Sequence, residues 1–254
     1  MVLFRYFAAV LPAVTAILVL SALTVWPAAL AALIVGWLAV AALTFAFLGG
    51  QEAKTSNYWQ LVLPPALLFL SAVGFELLSE AAAVHLAVAI SVSALILCYS
   101  WNLYLFLHQP LRYTARTLER LAILSNLSSV FLGGAALFGL RLFLSLPAWK
   151  LSLAVLLGGA LLFGQSFRSA KLPSRPAFAY LLIFSFLMFQ LSVALISLPI
   201  LYTVSGAVLT LAFYVFLGIG RHLLGGTYAA GIGRRYALIT AFCLVLVLGT
   251  ARWS

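Results

Sequence analysis

The chain contains no aspartate, and its four glutamates and three histidines are dispersed. Aspartate-rich magnesium motifs of the kind that handle diphosphate substrates are therefore excluded. No HExxH sequence is present, which excludes a zinc protease of that type. The GxSG motif of intramembrane serine proteases is also missing, because Gly164-Gln165-Ser166-Phe167 departs from it at the last position. All three lysines fall near the ends of apolar runs or in loops, so none is placed to form a Schiff base within a span. Cys98 and Cys243 both lie inside apolar runs and read as buried thiols rather than as a disulfide or metal ligands. No cofactor is expected, and the balance of residues leans away from an enzyme.

Charge of either sign is scarce. Charged residues make up 7% of the chain and hydrophobic residues 66%, against roughly 25% and 45–50% in a soluble domain. No soluble fold has enough interior for that much apolar surface, so the solvent is largely lipid. The apolar runs are long, rich in Leu and Ala, and do not alternate with period two. They therefore read as helices rather than barrel strands. The expected fold is an all-α, polytopic integral membrane bundle, with residues 1–254 forming a single transmembrane domain and no soluble domain. The net charge of +10 does not imply a nucleic-acid partner, because the bases are scattered between apolar runs instead of being gathered into a patch.

About nine spans are expected, at 6–24, 28–48, 59–80, 84–107, 121–144, 149–167, 177–197, 200–219 and 236–252. Each is near the ~20 residues that cross a ~30 Å hydrocarbon layer, although the last is short. Eight remain if the first is a signal peptide cleaved near Ala29-Leu30-Ala31, an alternative its length disfavours. Alternating the loops across nine spans puts Arg5, Lys54, Arg112, Arg116, Arg120, Arg168, Lys171, Arg175, Arg221, Arg234 and Arg235 on one side, and Arg141, Lys150 and Arg252 on the other. The positive-inside rule then predicts a cytoplasmic N-terminus and an outside C-terminus, in the cell membrane. Trp26, Trp59, Trp101, Trp149 and Trp253 fall near span ends as interfacial anchors, whereas Trp37 sits mid-span as a packing residue.

Several features carry local expectations. Pro64-Pro65 predicts a kink or break in the third span. Glu76 and Arg141 fall at similar depth near the outer ends of the third and fifth spans. They either pair with each other or snorkel separately. Glu80 and His85 read as ordinary loop residues. Asn102 and Asn126 flank the 108–120 turn on antiparallel helices, where a mutual amide hydrogen bond would act as structural glue. Arg112, Arg116 and Arg120 recur every four residues beside Leu111, Ala115, Leu118 and Ala122. That spacing predicts a short amphipathic helix on the inner leaflet, its bases facing anionic headgroups. Leu132–Gly139 (LGGAALFG) and Leu157–Gly164 (LGGALLFG) are near-duplicates, expected to meet as an antiparallel hairpin through their small residues. Residues 220–235, GRHLLGGTYAAGIGRR, read as a flexible basic loop, with an anion-binding nest as the sharper alternative.

The resulting expectation is a non-catalytic structural or accessory component of a membrane assembly. Its partners would be anionic inner-leaflet headgroups and other membrane proteins. One alternative is a transporter or flippase for an apolar or amphipathic solute, using the Pro64-Pro65 break and the Asn102/Asn126 pair. Another is an inner-leaflet enzyme acting on a lipid phosphate, with Arg112, Arg116, Arg234 and Arg235 clamping the anion and His108 or His222 as base. Arg112, Arg116, Arg120, Arg221, Arg234 and Arg235 are the candidate phosphate or anionic-lipid contacts.

Overall fold

The computed structural model of the protein describes residues 2–170, 174–226 and 230–250. Among them the chain is all-helical, with nine α-helices: α1 Val2–Val25, α2 Leu30–Gly49, α3 Ser56–Glu76, α4 Ala82–His108, α5 Thr117–Leu144, α6 Ala148–Ser169, α7 Ser174–Ile196, α8 Tyr202–Leu224 and α9 Ala230–Thr250. Among the described residues, eight of these, α1 to α8, are long and apolar enough to cross a membrane. Large apolar side chains such as Leu43, Phe186 and Val245 stand exposed on the helices, as lipid-facing residues do. Lys171, Arg252 and Trp253, used above for topology and anchoring, lie outside the described residues.

Proline and glycine punctuate the helices. The Pro27–Ala29 turn separates α1 from α2, and α2 ends at Gly50, whose φ of 54° is costly for any residue with a Cβ. Pro147 precedes the first turn of α6. Within one chain the helices group into two compact units, residues 1–129 and 130–254.

In the first unit, α1 packs on α2 and α4, and α3 packs on α4. Trp37 of α2 is the hub. Its ring stacks on Phe69 of α3 with centroids 3.8 Å apart, and its Nε1–H donates to the Pro12 carbonyl of α1 at 3.1 Å. The mid-span tryptophan is thus a packing residue, as expected. Tyr58 of α3 lies over Gly49, where an added Cβ would sit 2.6 Å from its ring, and its hydroxyl donates to the Phe45 carbonyl.

Pro64 and Pro65 do not break α3, which is helical throughout Ser56–Glu76. Pro65 has no N–H to give the carbonyl four residues back, that of Leu61. The buried Tyr99 hydroxyl of α4 donates to that same Leu61 carbonyl. A side chain from the neighbouring helix supplies the donor that proline removed, so the helix continues.

In the second unit, α6 packs on α7, α7 on α8, and α8 on α9. A phenylalanine core joins α6, α7 and α8: Phe163 lies 4.4 Å from Phe213 and 5.8 Å from Phe184, which stacks on Phe216 at 5.4 Å. Gly134 in the first octet and Gly159 and Gly164 in the second each meet other helices rather than one another. Gly206 of α8 approaches α5 so closely that an added Cβ would meet Ala135 N at 2.8 Å and Phe131 O at 2.9 Å. Gly159 of α6 instead faces Ser185 and Met188 of α7, and Gly158 has nothing near it. Small residues permit close approach, but α5 finds its small partner in Gly206 rather than in the matching octet.

Candidate functional site

Glu76, the last residue of α3, is 4% exposed. Its Oε2 lies 3.0 Å from Nδ1 of His85, in the first turn of α4. His85 is therefore no ordinary loop residue: the five residues between the helices fold tightly enough to bring the imidazole onto the carboxylate. Glu76 Oε1 is buried without a hydrogen-bond partner. Arg141, in the last turn of α5, donates from Nη1 to the Ile196 carbonyl at 3.3 Å. Ile196 ends α7, so the arginine serves one of the carbonyls a helix C-terminus leaves without an intrahelical donor. Each of the two charged residues has its partner within its own unit.

Asn102 turns back on its own helix, donating from Nδ2 to the Cys98 carbonyl at 2.8 Å. Asn126 is fully buried on α5. Among the described residues no three of His, Cys and Glu gather as a metal site would require.

The stretch expected to form an amphipathic helix from Leu111 is instead a turn. Gln109 leaves the helical region at φ −137°, as the residue before a proline is pushed to do, and Arg116 takes a left-handed φ of 66°. The turn is held by its own contacts. Tyr113 packs edge-on against Phe106 at 5.3 Å, and its hydroxyl accepts from the Leu118 N–H at the start of α5. Leu111 is fully exposed and Ala115 is exposed, while Leu118 and Ala122 are buried within α5, so these four do not form one apolar face. Arg112 and Arg116 stand exposed in the turn, and Arg120 stands exposed on α5.

The glycine-rich segment 220–235 is not one loop. α8 extends through Arg221 to Leu224, Gly225-Gly226 make a turn with φ 65° at Gly226, and α9 begins at Ala230. Residues 227–229 lie outside the described ones. Gly231 and Gly233 are helical, because an isolated glycine costs a helix only ~1 kcal/mol. Arg234 and Arg235 are exposed on the first turns of α9. The six candidate phosphate contacts thus divide between the units, with Arg112, Arg116 and Arg120 in the first and Arg221, Arg234 and Arg235 in the second.

One constellation was not singled out from the sequence. Where α1 begins and α4 ends, Tyr6, Trp101 and Tyr104 pack as an aromatic triangle with centroids 5.0 to 5.9 Å apart. His108 stacks on Tyr104 at 5.2 Å. The Gln109 amide nitrogen lies 3.2 Å from the Tyr6 hydroxyl and 3.3 Å from that of Tyr104. Arg5, beside Tyr6 in sequence, is near enough for its charge to act on Tyr104 and His108. The spacing 101, 104, 108 was a legible signal for one face of α4, but nothing in the sequence pairs that face with Tyr6.

Comparison with protein-family models, with curated proteins and with solved structures finds no match for this chain.

Proposed function

We propose that this protein is a non-catalytic structural or accessory component of a cell-membrane assembly. Its N-terminus is cytoplasmic and α9 serves as a ninth, short span. The uneven distribution of Lys and Arg between alternate loops supports that orientation. The observation that carries the functional reading is where the long polar side chains end. Trp37, Tyr58, Tyr99 and Arg141 each reach a neighbouring helix and close on a main-chain carbonyl. In lipid such bonds hold helices together, and the single donors of Trp37, Tyr58 and Tyr99 are occupied by them rather than left for a substrate.

Native mass spectrometry of the protein released from its own membrane in mild detergent tests this reading. A stoichiometric protein partner is expected, and Glu76→Ala or Asn126→Ala should lower stability. Release of the chain with no protein partner overturns the accessory role. A bound amphipathic molecule lost on neutralising Arg234 and Arg235 would point to the flippase or lipid-phosphate enzyme instead.

A further inference from the structure

We infer that the cluster of Arg5, Tyr6, Tyr104, His108 and Gln109 is a binding site for a phosphate oxyanion, with the headgroup of a cytoplasmic-leaflet phospholipid as its ligand. The argument begins with hydrogen-bond accounting. The Gln109 amide group bridges the Tyr6 and Tyr104 hydroxyls. With the nitrogen toward the phenols, each phenol oxygen accepts, and its own proton is left to donate. Even if one phenol donates to the other, one O–H remains. With the amide turned over, the phenols donate to its oxygen and the two N–H bonds are left, at a position buried from solvent and without a partner. In the first orientation a phenol O–H and the buried Gln109 Oε1 are both left unmatched, whereas the second leaves donors alone, which is costly until something accepts from them. Arg5 precedes Tyr6 on α1, and its positive charge acts on Tyr104 and His108. Donors together with a guanidinium select an oxyanion.

Depth identifies the source. Arg5 lies in the first turn of α1 and His108 is the last residue of α4, so the cluster sits where the two helices end. Trp101, 37% exposed at one corner of the aromatic triangle, suits an interfacial anchor near the headgroups. The adjoining turn carries exposed Arg112 and Arg116 and the fully exposed Leu111, which suits a surface lying against headgroups. This site stands apart from the accessory role and does not depend on it.

The test uses the full chain in an uncharged detergent, titrated with short-chain phosphatidylglycerol, with diacylglycerol as the phosphate-free control, and read by native mass spectrometry. One phosphatidylglycerol per chain is expected to be retained in preference to diacylglycerol. Arg5→Gln and Gln109→Leu should each weaken retention about tenfold, the loss expected for one charge-assisted or buried hydrogen bond. Arg5→Lys should recover part of it, which separates loss of the site from loss of the fold. The Lys54→Gln variant, which removes an exposed base from a different turn, should retain the lipid as the native chain does. Competition by millimolar inorganic phosphate would assign the same oxyanion chemistry to a soluble source. Equal retention by the native chain, Arg5→Gln and Gln109→Leu, or no preference over diacylglycerol, overturns the inference.

Discussion

Tyr99→Phe is the sharpest probe of how α3 tolerates two adjacent prolines. Tyr99 is fully buried, and its hydroxyl serves the Leu61 carbonyl that Pro65 leaves without an intrahelical donor. Removing the hydroxyl strands a polar group away from water. A net hydrogen bond contributes about 1 kcal/mol, and an unsatisfied buried group costs about 1–3 kcal/mol. Interhelical bonds in membrane proteins average nearer 0.6 kcal/mol, so Tyr99→Phe should cost about 1–2 kcal/mol. The reasoning makes a stronger demand on the double mutant. Pro65→Ala restores an N–H to the Leu61 carbonyl, so Tyr99→Phe in that background should cost about 0.5 kcal/mol or less. Whatever Pro65→Ala does by itself cancels in the cycle, leaving a coupling of about 1 kcal/mol. The assay is reversible unfolding in mixed micelles of a mild detergent and dodecyl sulfate. If Tyr99→Phe costs the same in both backgrounds, within the ~0.3–0.5 kcal/mol typical of independent sites, the hydroxyl does not replace the donor lost to proline, and the account fails.

Gly206→Leu should destabilise the second unit by about 3 kcal/mol, since its Cβ meets main-chain atoms of α5 at 2.8 and 2.9 Å. Gly158→Leu, with open space at that position, should leave the thermal midpoint in detergent nearly unchanged. His85→Ala should cost about 2 kcal/mol by leaving the buried Glu76 carboxylate without its imidazole, and Glu76→Leu/His85→Ala should recover much of that loss; a simply additive cycle would dissolve the pair. Trp37→Phe keeps the stack on Phe69 but loses the bond to the Pro12 carbonyl, and should cost about 1 kcal/mol in the same unfolding assay.

The helices themselves were legible because their causes are local. Apolar length, proline and paired glycines mark where a helix begins and stops, and the expected apolar segments overlap the nine helices, eight of which are long and apolar enough to cross a membrane. The errors arose where one signal was trusted over a nearby breaker. The four-residue spacing of Arg112, Arg116 and Arg120 looked helical, yet Pro110 turns the chain before that spacing can act. The glycines of 220–235 looked like one loop, yet among the described residues Gly225-Gly226 make a turn while Gly220, Gly231 and Gly233 are helical. Trp37 was legible as a packing residue because a polar-tipped ring in mid-membrane must find an acceptor among its neighbours.

Composition and apolar run length by themselves determined that this is a multi-pass helical protein, since the apolar surface exceeds what a soluble interior can hold and lipid leaves the backbone few alternatives to helix. Tertiary structure alone decided the partners. Glu76 meets His85 across a tight turn, while Arg141 serves the end of α7. Asn102 turns back on Cys98, α5 packs its small residues on Gly206 rather than on the matching octet, and Tyr6 joins Tyr104 and Gln109 from more than ninety residues away. A hydrogen bond forms only within about 3 Å and a narrow angle. Which side chains satisfy that condition depends on how each helix is rotated and seated against its neighbours, and the pattern of apolar residues along a lipid-facing helix leaves that rotation free.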